Sequence, residues 1–234
     1  MKRLPPRPPV ETAGTPRPEP IILLIRHGES EANAGLPTPS PAEIRLTGRG
    51  HAQAAALAGR FASPPDLVVV SPYRRTRETA APLLAALRVP RVEEWPIEEF
   101  TYLDTRRLAG TTEAERSGVV KEYWDRCDPF ATFGEGAESF ARFIARVDAM
   151  LERIRGLGAV RSAAVFTHGY VIHAAAVRLR EPGAPVDAGM MRRFRGSWPG
   201  NAPGHCEVRR AGMAAKEGKD PVVPLAETGI VLYP

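Results

Sequence analysis

Cysteine and long apolar runs are both scarce in this chain of 234 residues. The two cysteines, Cys127 and Cys206, lie far apart and fit no metal-binding spacing, which argues against a disulfide framework or a zinc site. No apolar run approaches the roughly 20 residues that cross a bilayer, and the segment before Ile21 lacks the apolar centre of a secretory signal. We therefore expect a cytoplasmic protein with no membrane partner.

A strong excess of charge of one sign is also lacking. Lysine and arginine number 32 against 27 acids, a net charge of +5 that is spread along the chain and carried mostly by arginine. So small and dispersed a surplus is typical of a solvated surface, not of a nucleic-acid footprint. We expect no nucleic-acid partner, although an anionic substrate would suit this balance.

Proline, in contrast, is plentiful, and its distribution suggests how the chain is divided. Seven of the 24 prolines fall within residues 1–20, which predicts a flexible, partly extended tail. The remainder, residues 21–234, has enough apolar residues for the core of a single domain.

Apolar patterns in this domain predict alternating strands and helices. Strands are predicted at Ile21–Ile25, Asp66–Val70 and Ser162–Thr167, and late strands at Cys206–Arg210 and Gly229–Tyr233. Helices are predicted at Thr47–Phe61, Arg74–Leu87, Glu138–Arg155 and Gly169–Arg180. Pro82 should end or kink the second of these helices near Ala81. The alternation predicts an α/β fold, a three-layer α/β/α sandwich around a mostly parallel sheet.

Three predicted strands end in residues that suit phosphate chemistry. Ligands of such sheets collect at the carboxyl ends of the strands, where Arg26-His27-Gly28, Ser71 to Arg75 and His168-Gly169 are found. A neutral histidine is a competent nucleophile toward phosphorus, and an arginine matches phosphate oxygens with a planar fork of donors. His27 is therefore a candidate nucleophile, with Arg26 as its neighbouring donor.

Other groups could surround the same anion. Arg75 begins a predicted helix, a protonated His168 would add a cation, and Asn33 follows the first strand as a further donor. A proton is also needed on the leaving oxygen, and a carboxyl group would supply it. Glu98 and Glu99 are the best candidates, and in an extended segment only one of them can reach the site.

Taken in order, these motifs resemble the histidine phosphatase superfamily, the phosphoglycerate mutase-like proteins. The resemblance covers roughly Ile21 to Arg210 and rests on four strings of residues. These are Leu24-Ile25-Arg26-His27-Gly28-Glu29-Ser30-Glu31-Ala32-Asn33, Leu46-Thr47-Gly48-Arg49-Gly50, Ser71-Pro72-Tyr73-Arg74-Arg75-Thr76-Arg77-Glu78-Thr79-Ala80 and Thr167-His168-Gly169.

The resemblance implies a phosphoglycerate mutase-like fold and a set of roles. His27 would be phosphorylated, and Arg26, Arg75 and His168 would complete the phosphate pocket. Asn33 and Gly169 would assist in binding substrate. The family pattern of a glutamate between hydrophobic residues favours Glu99 as the general acid and base, with Glu98 as the alternative. Neither a metal nor a cofactor is implied.

One departure from the family pattern bears on the reaction. A proline-rich loop, Ala34 to Glu43, stands where the resemblance to true mutases would continue, which favours a phosphatase over a mutase. We predict a metal-independent phosphomonoesterase that works through phosphohistidine. A mutase-type isomerase and a noncatalytic module that binds phosphorylated ligands remain alternatives.

Several further expectations concern the surroundings of this site. The partner should be a small phosphorylated substrate, and phosphate or sulfate should also fit the pocket. An insertion at about 100–137 should cover the active site. His51, His173 and His205 fit no ligand pattern and are expected to be structural. The oligomeric state stays open, with a homodimer as one possibility.

Overall fold

The computed structural model describes residues 19–38, 40–106, 109–212 and 222–224. Residues 1–18 of the predicted tail and the strand predicted at Gly229–Tyr233 lie outside the described residues. The division of the chain into a tail and one domain therefore stays a prediction.

The described residues form one sheet of six strands in the order β3-β2-β4-β1-β5-β6. The strands are β1 Ile21–Arg26, β2 Leu67–Val70, β3 Val92–Glu94, β4 Ser162–Thr167, β5 Val208–Ala211 and β6 Val222–Pro224. The first four are mutually parallel, β5 pairs antiparallel with β1, and β6 pairs antiparallel with β5 at the edge. Arg26 pairs with Thr167, and Val70 pairs with Phe166, so β1, β2 and β4 end side by side.

Helices cover both faces of the sheet. They are α1 Gly48–Ala58, α2 Arg74–Ala86, α3 Glu113–Arg126, α4 Phe140–Arg155, α5 Gly169–Arg180 and α6 Ala188–Asn201. Leu23 and Ile25 of β1 pack toward α1 and α2, whereas Ile22 and Leu24 face the core formed with α3 to α6. This alternation confirms the three-layer α/β/α sandwich, since successive strand residues point to opposite faces.

The amphipathic helix α4 is the clearest case of sequence determining structure. Ser139 caps it by accepting a hydrogen bond from the Arg142 N–H, and its seven large apolar side chains are all buried. Each buried side chain of this kind contributes about 1.5–3 kcal/mol, which fixes the helix against the sheet. Arg146, half-buried beside the Phe143 ring, is thereby held at a defined position.

Pro82 was predicted to end or kink α2 near Ala81, and it does not end the helix. The helix continues to Ala86, with Pro82 inside it. Pro82 is half-buried, whereas its neighbours Ala80 and Leu83 are buried in the core. The burial of these side chains offsets the hydrogen bond that proline cannot donate. The backbone carbonyl left without this donor can be hydrated by water on the exposed side of the helix.

Four elements were given no predicted bounds: β3, β6, α3 and α6. β3 and β6 each have three residues, too few for a periodic pattern. Helix α6 contains Pro199 and three glycines, which weaken the local signal. Among the described helices, none combines the length and apolar character needed to cross a membrane.

Candidate active site

His27 lies directly beyond β1, where its ring is held from both sides. The side chain is 3% exposed; Nδ1 lies 2.7 Å from the Gly28 carbonyl, and the Arg75 Nε–H donates to Nε2 at 3.1 Å. A guanidinium can only donate, so Nε2 is the unprotonated nitrogen and Nδ1 carries the proton. Burial and the Arg75 charge keep the pKa of His27 well below its usual range. The imidazole is therefore neutral, with its lone pair next to a cation.

Close backbone packing fixes the turn that carries His27. The Gly28 N–H donates to Thr79 Oγ1 at 3.0 Å, which ties the turn to α2. A Cβ on Gly28 would lie 2.7 Å from the Gly50 carbonyl oxygen, and one on Gly50 would lie 2.0 Å from the Glu29 carbonyl oxygen. The turn can approach the start of α1 only because both positions are glycine.

Two guanidinium groups converge on the same place. Arg75 is 5% exposed, and its Nη1 donates to the Pro41 carbonyl at 2.8 Å. Arg26 donates through Nη1 to the Pro203 carbonyl at 2.6 Å, whereas its buried Nε has no partner among the described residues. Burial lowers the pKa of Arg75 to about 10, and the charge of Arg26 contributes to that shift. Both groups are charged at neutral pH and repel each other, so an anion between them would relieve the repulsion.

His168 completes this arrangement from the end of β4. Its ring is fully buried, with its centroid 5.3 Å from that of His27, and Nε2 lies 2.8 Å from Ser71 Oγ. Burial and the Arg75 charge lower the pKa of His168 well below its usual range. The expectation of a protonated His168 therefore does not hold for the free site. A bound phosphate dianion would act in the opposite direction and favour the cation.

Ser71 determines which nitrogen of His168 can serve a ligand. Its Oγ accepts a hydrogen bond from the Tyr73 N–H at 3.3 Å and lies 2.8 Å from His168 Nε2, to which its hydroxyl donates in the tautomer with Nε2 unprotonated. The proton of the neutral ring is then on Nδ1, which is buried and has no partner within the described part of the chain. In this arrangement His168 presents an N–H donor, the group that a phosphate oxygen needs.

The two candidate acids have separate surroundings. Glu99 lines the cavity described below, and its Oε1 accepts hydrogen bonds from the Phe100 and Tyr170 N–H groups at 3.0 and 3.2 Å. Glu98 instead lies 3.4 Å from Arg146. Burial raises the pKa of Glu99, although the charges of Arg75 and Arg26 oppose the shift. A carboxyl with a raised pKa beside two arginines suits a general acid.

The segment that carries Glu99 is fixed on two sides. Thr167, the last residue of β4, donates through Oγ1 to the Ile97 carbonyl at 2.8 Å. Arg146 donates through Nη1 to the Glu98 carbonyl at 3.0 Å and holds Glu138 through two further hydrogen bonds. Glu99 therefore keeps a defined position relative to the strand ends.

The two predicted substrate-binding residues have different positions. Gly169 lines the cavity at the start of α5. Asn33 is exposed and lies outside the cavity wall formed by the described residues; its Oδ1 accepts hydrogen bonds from the N–H and hydroxyl of Ser30. The structure thus groups His27, Arg26, Arg75, Glu99, His168 and Gly169. It does not bring Asn33 to them, and its role stays a prediction.

A cavity of about 1010 Å³ opens from this group of residues. Arg26, Arg75 and Glu99 line its inner end. Residues Phe100–Thr105, one side of α3 and the end of α6 form much of the remaining wall. Part of the predicted insertion at about 100–137 therefore lies against the cavity.

Sequence reasoning assigned no role to several residues that shape the site. Ser71, Tyr73 and Thr79 stand inside a motif that the sequence already singles out, so their position was a usable signal. Tyr170 follows Gly169 directly. Trp198 is different: it lies 30 positions beyond His168 in an unpredicted helix, and no local pattern connects it with the strand ends.

Of the remaining histidines, His173 and His51 lie apart from this chemistry, whereas His205 lies near Arg26. His173 is buried and donates through Nε2 to the Phe194 carbonyl at 3.0 Å, which links α5 to α6. His51 is exposed on α1, and burial together with the Arg26 charge lowers the pKa of His205. In the part of the chain that the structure describes, no three His, Cys, Asp or Glu side chains cluster as a metal site would require.

A neutral histidine, two arginines and an acid lie together near the strand ends of a mostly parallel α/β sheet. This combination defines a distinct class of protein. The sequence model of the histidine phosphatase superfamily, branch 1, matches residues 22–195. The chain therefore belongs to this superfamily, as its motifs predict.

Known relatives agree with this assignment. An uncharacterized Mycobacterium tuberculosis protein is 34% identical over 140 residues, which are 58% of this chain and 67% of that protein. The adenosylcobalamin/alpha-ribazole phosphatase of Salmonella typhi is 29% identical over 159 residues, covering 67% and 77% of the two chains. A mycobacterial glucosyl-3-phosphoglycerate phosphatase shares the fold, with a TM-score of 0.61 at 22% identity over 82% of this chain and 89% of that one.

Proposed function

We propose that the protein is a phosphatase that hydrolyses phosphate monoesters through a phosphohistidine on His27. The observation that carries the proposal is the hydrogen bond from Arg75 Nε–H to His27 Nε2. It supports Nε2 as the nitrogen with a lone pair, and a phosphoryl group bound there would replace His27 as the acceptor of the Arg75 hydrogen bond. Positioning and charge neutralisation are the main demands of phosphoryl transfer.

In the first step, His27 Nε2 attacks phosphorus and the ester P–O bond breaks. Protonated Glu99 gives its proton to the departing alcohol oxygen. Arg26, Arg75 and the Nδ1–H of His168 stabilise the charge on the other phosphoryl oxygens. The products of this step are the alcohol, phosphohistidine and the Glu99 carboxylate.

In the second step, the Glu99 carboxylate accepts a proton from water as the water oxygen attacks phosphorus. The P–N bond breaks, the electron pair returns to His27 Nε2, and inorganic phosphate leaves. Glu99 ends protonated and His27 neutral, as both began. The raised pKa of Glu99 supports its acid role, and the two nearby arginines keep the carboxylate form accessible for the second step.

Hydrolysis is favoured over the mutase alternative by two observations. The two relatives described above whose names state an activity are both phosphatases, and they are named for different esters. The comparisons therefore support hydrolysis but do not indicate one common substrate. The proline-rich loop after Asn33 also contributes Thr38 and Pro41 to the cavity wall, in place of the segment typical of mutases. We infer a small phosphorylated substrate.

Rapid-quench labelling tests the proposal. The wild-type protein, mixed with a 32P-labelled aryl phosphate, should form an acid-labile, base-stable phosphoenzyme before phosphate appears. His27→Ala should abolish both the label and turnover, whereas His51→Ala, a change at an exposed histidine, should leave both intact. Turnover should persist in EDTA. Full activity of His27→Ala would overturn the mechanism, and binding of the ester without any label would favour a noncatalytic module.

A further inference from the structure

A cluster of aromatic rings lies in the wall of the cavity beyond the phosphate pocket. Besides Tyr73, the described rings that line the cavity are Phe100, Tyr102, Trp124, Tyr170 and Trp198. Tyr170 and Trp198 are the closest pair, with ring centroids 4.4 Å apart. Tyr102 and Trp124 form another pair, with centroids 5.5 Å apart. A surface of this kind favours flat, apolar groups over fully hydroxylated ones.

Two rings of the cavity wall lie close to the phosphate-binding groups: Tyr73, whose centroid is 4.9 Å from Arg75 Cζ, and Trp198. A Cβ added to Gly169 would lie 2.8 Å from Trp198 Cη2 and 3.7 Å from Arg26 Nε. The indole edge and the phosphate-binding guanidinium therefore flank the same point at the start of α5. A group joined to the ester oxygen through only one or two bonds would reach the indole.

Packing holds Trp198 in this position. Its indole contacts Tyr170 on one side and the His173 ring, with centroids 5.5 Å apart, on another. The side chain is half-buried and still lines the cavity. A fixed ring at a cavity wall binds a flat partner at little cost in conformational freedom.

The rim of the cavity shows no preference for a second anionic group. Among the described residues, it carries three acids, Asp104, Glu113 and Asp125, and three bases, Arg116, Lys121 and Arg195. Lys121 is paired with Asp125, and Arg116 donates through Nη1 to the Thr111 carbonyl at 2.7 Å. Arg195 lies over the Trp124 ring at 5.2 Å. Selection at this end therefore depends on shape and stacking more than on net charge.

From these contacts we infer that Trp198, supported by Tyr170, is a stacking platform that selects phosphate monoesters whose alcohol carries a flat aromatic ring. The inference rests on the proposed hydrolysis at His27 and adds the substrate class to it. Trp198 contacts the alcohol part of the ester, and takes no part in breaking the P–O bond.

Benzyl phosphate and cyclohexylmethyl phosphate are the probes for this platform. The two esters have alcohols of similar size and acidity and differ in whether the ring is flat. The wild-type kcat/KM should favour the benzyl ester by about five- to tenfold, the range expected of an aromatic pair. Trp198→Leu should reduce this preference to less than about twofold, and Trp198→Phe should retain most of it.

Phe130→Leu is the matched control, because Phe130 is an aromatic residue that is 69% exposed and lies outside the cavity wall. It should leave the preference unchanged. Melting curves of each variant show whether its fold is intact. If Trp198→Leu does not fold, the wild-type ratio and Trp198→Phe still decide the question.

The outcomes separate the two proposals. Equal kcat/KM values for the two esters in the wild type, or a preference that survives in folded Trp198→Leu, would overturn the platform while leaving hydrolysis intact. If the wild type hydrolyses neither ester and forms no phosphohistidine with either, the proposed function itself fails.

Discussion

Different interactions hold the residues at the two ends of the cavity in place. At the inner end, charged and polar groups are held by buried hydrogen bonds, as in the contacts of Arg75 with His27 and with the Pro41 carbonyl. At the outer end, rings form part of the wall, and Lys121 and Asp125 of α3 form an exposed ion pair. Because water screens the outer charges but not the inner ones, the same substitution should have very different effects at the two ends.

The largest difference should come from removing an inner cation. Arg75→Met should lower kcat/KM by about 1000-fold, since a buried donor aimed at a developing charge contributes this much to catalysis. The melting temperature should not fall in proportion, because the buried guanidinium has no carboxylate within salt-bridge distance among the described residues. Steady-state kinetics and thermal melting measure the two effects.

Arg77→Met is the matched control on the same helix. Arg77 is exposed and pairs with Glu94 on the sheet edge, so its removal should change kcat/KM by less than about twofold. Equal losses in the two variants would mean that the inner end is not electrostatically distinct from the surface.

The next largest effect concerns the proton that Glu99 supplies. Glu99→Gln should lower kcat/KM for benzyl phosphate about 100-fold, because its alkoxide is a poor leaving group. The loss should be only a few-fold for 4-nitrophenyl phosphate, whose leaving group needs no proton. Glu98→Gln is the matched neighbour and should lower neither value strongly, since Glu98 lies against Arg146.

The pH dependence of the same reaction gives an independent check. The first step needs Glu99 protonated, so wild-type kcat/KM for benzyl phosphate should fall as the pH rises through the pKa of this carboxyl. Burial raises that pKa, which moves the descending limb to higher pH than an ordinary glutamate would give. The limb should disappear in Glu99→Gln. If the descending limb persists unchanged in Glu99→Gln, a group other than Glu99 causes it.

The same contrast explains what the sequence could predict. Arg26, His27 and His168 stand at or immediately after the ends of buried strands, and parallel strands end at one edge of the sheet, so local patterns were enough to predict that these three meet. The choice between Glu98 and Glu99 needed the family pattern, because both lie in one short segment with no regular secondary structure.

The outer wall could not be predicted in this way. Trp198 meets Tyr170 and Gly169 only through the packing of α6 on α5, a long-range contact with no counterpart in local spacing. Helix α3 is polar over most of its length and buries only Tyr123 and Trp124, so its periodic signal is weak. Pro82 shows the same limit, since its tolerance inside α2 depends on tertiary burial of neighbouring side chains.

The smallest effect should come from the rim. Lys121→Met should change kcat/KM for benzyl phosphate by less than about twofold, because Lys121 is exposed, is paired with Asp125 and is screened by water. Steady-state kinetics at low and physiological ionic strength measure the effect. A tenfold loss at low salt that physiological salt removes would show that the rim steers the ester by charge. The outer end would then resemble the inner one, and selection by ring stacking alone would no longer describe it.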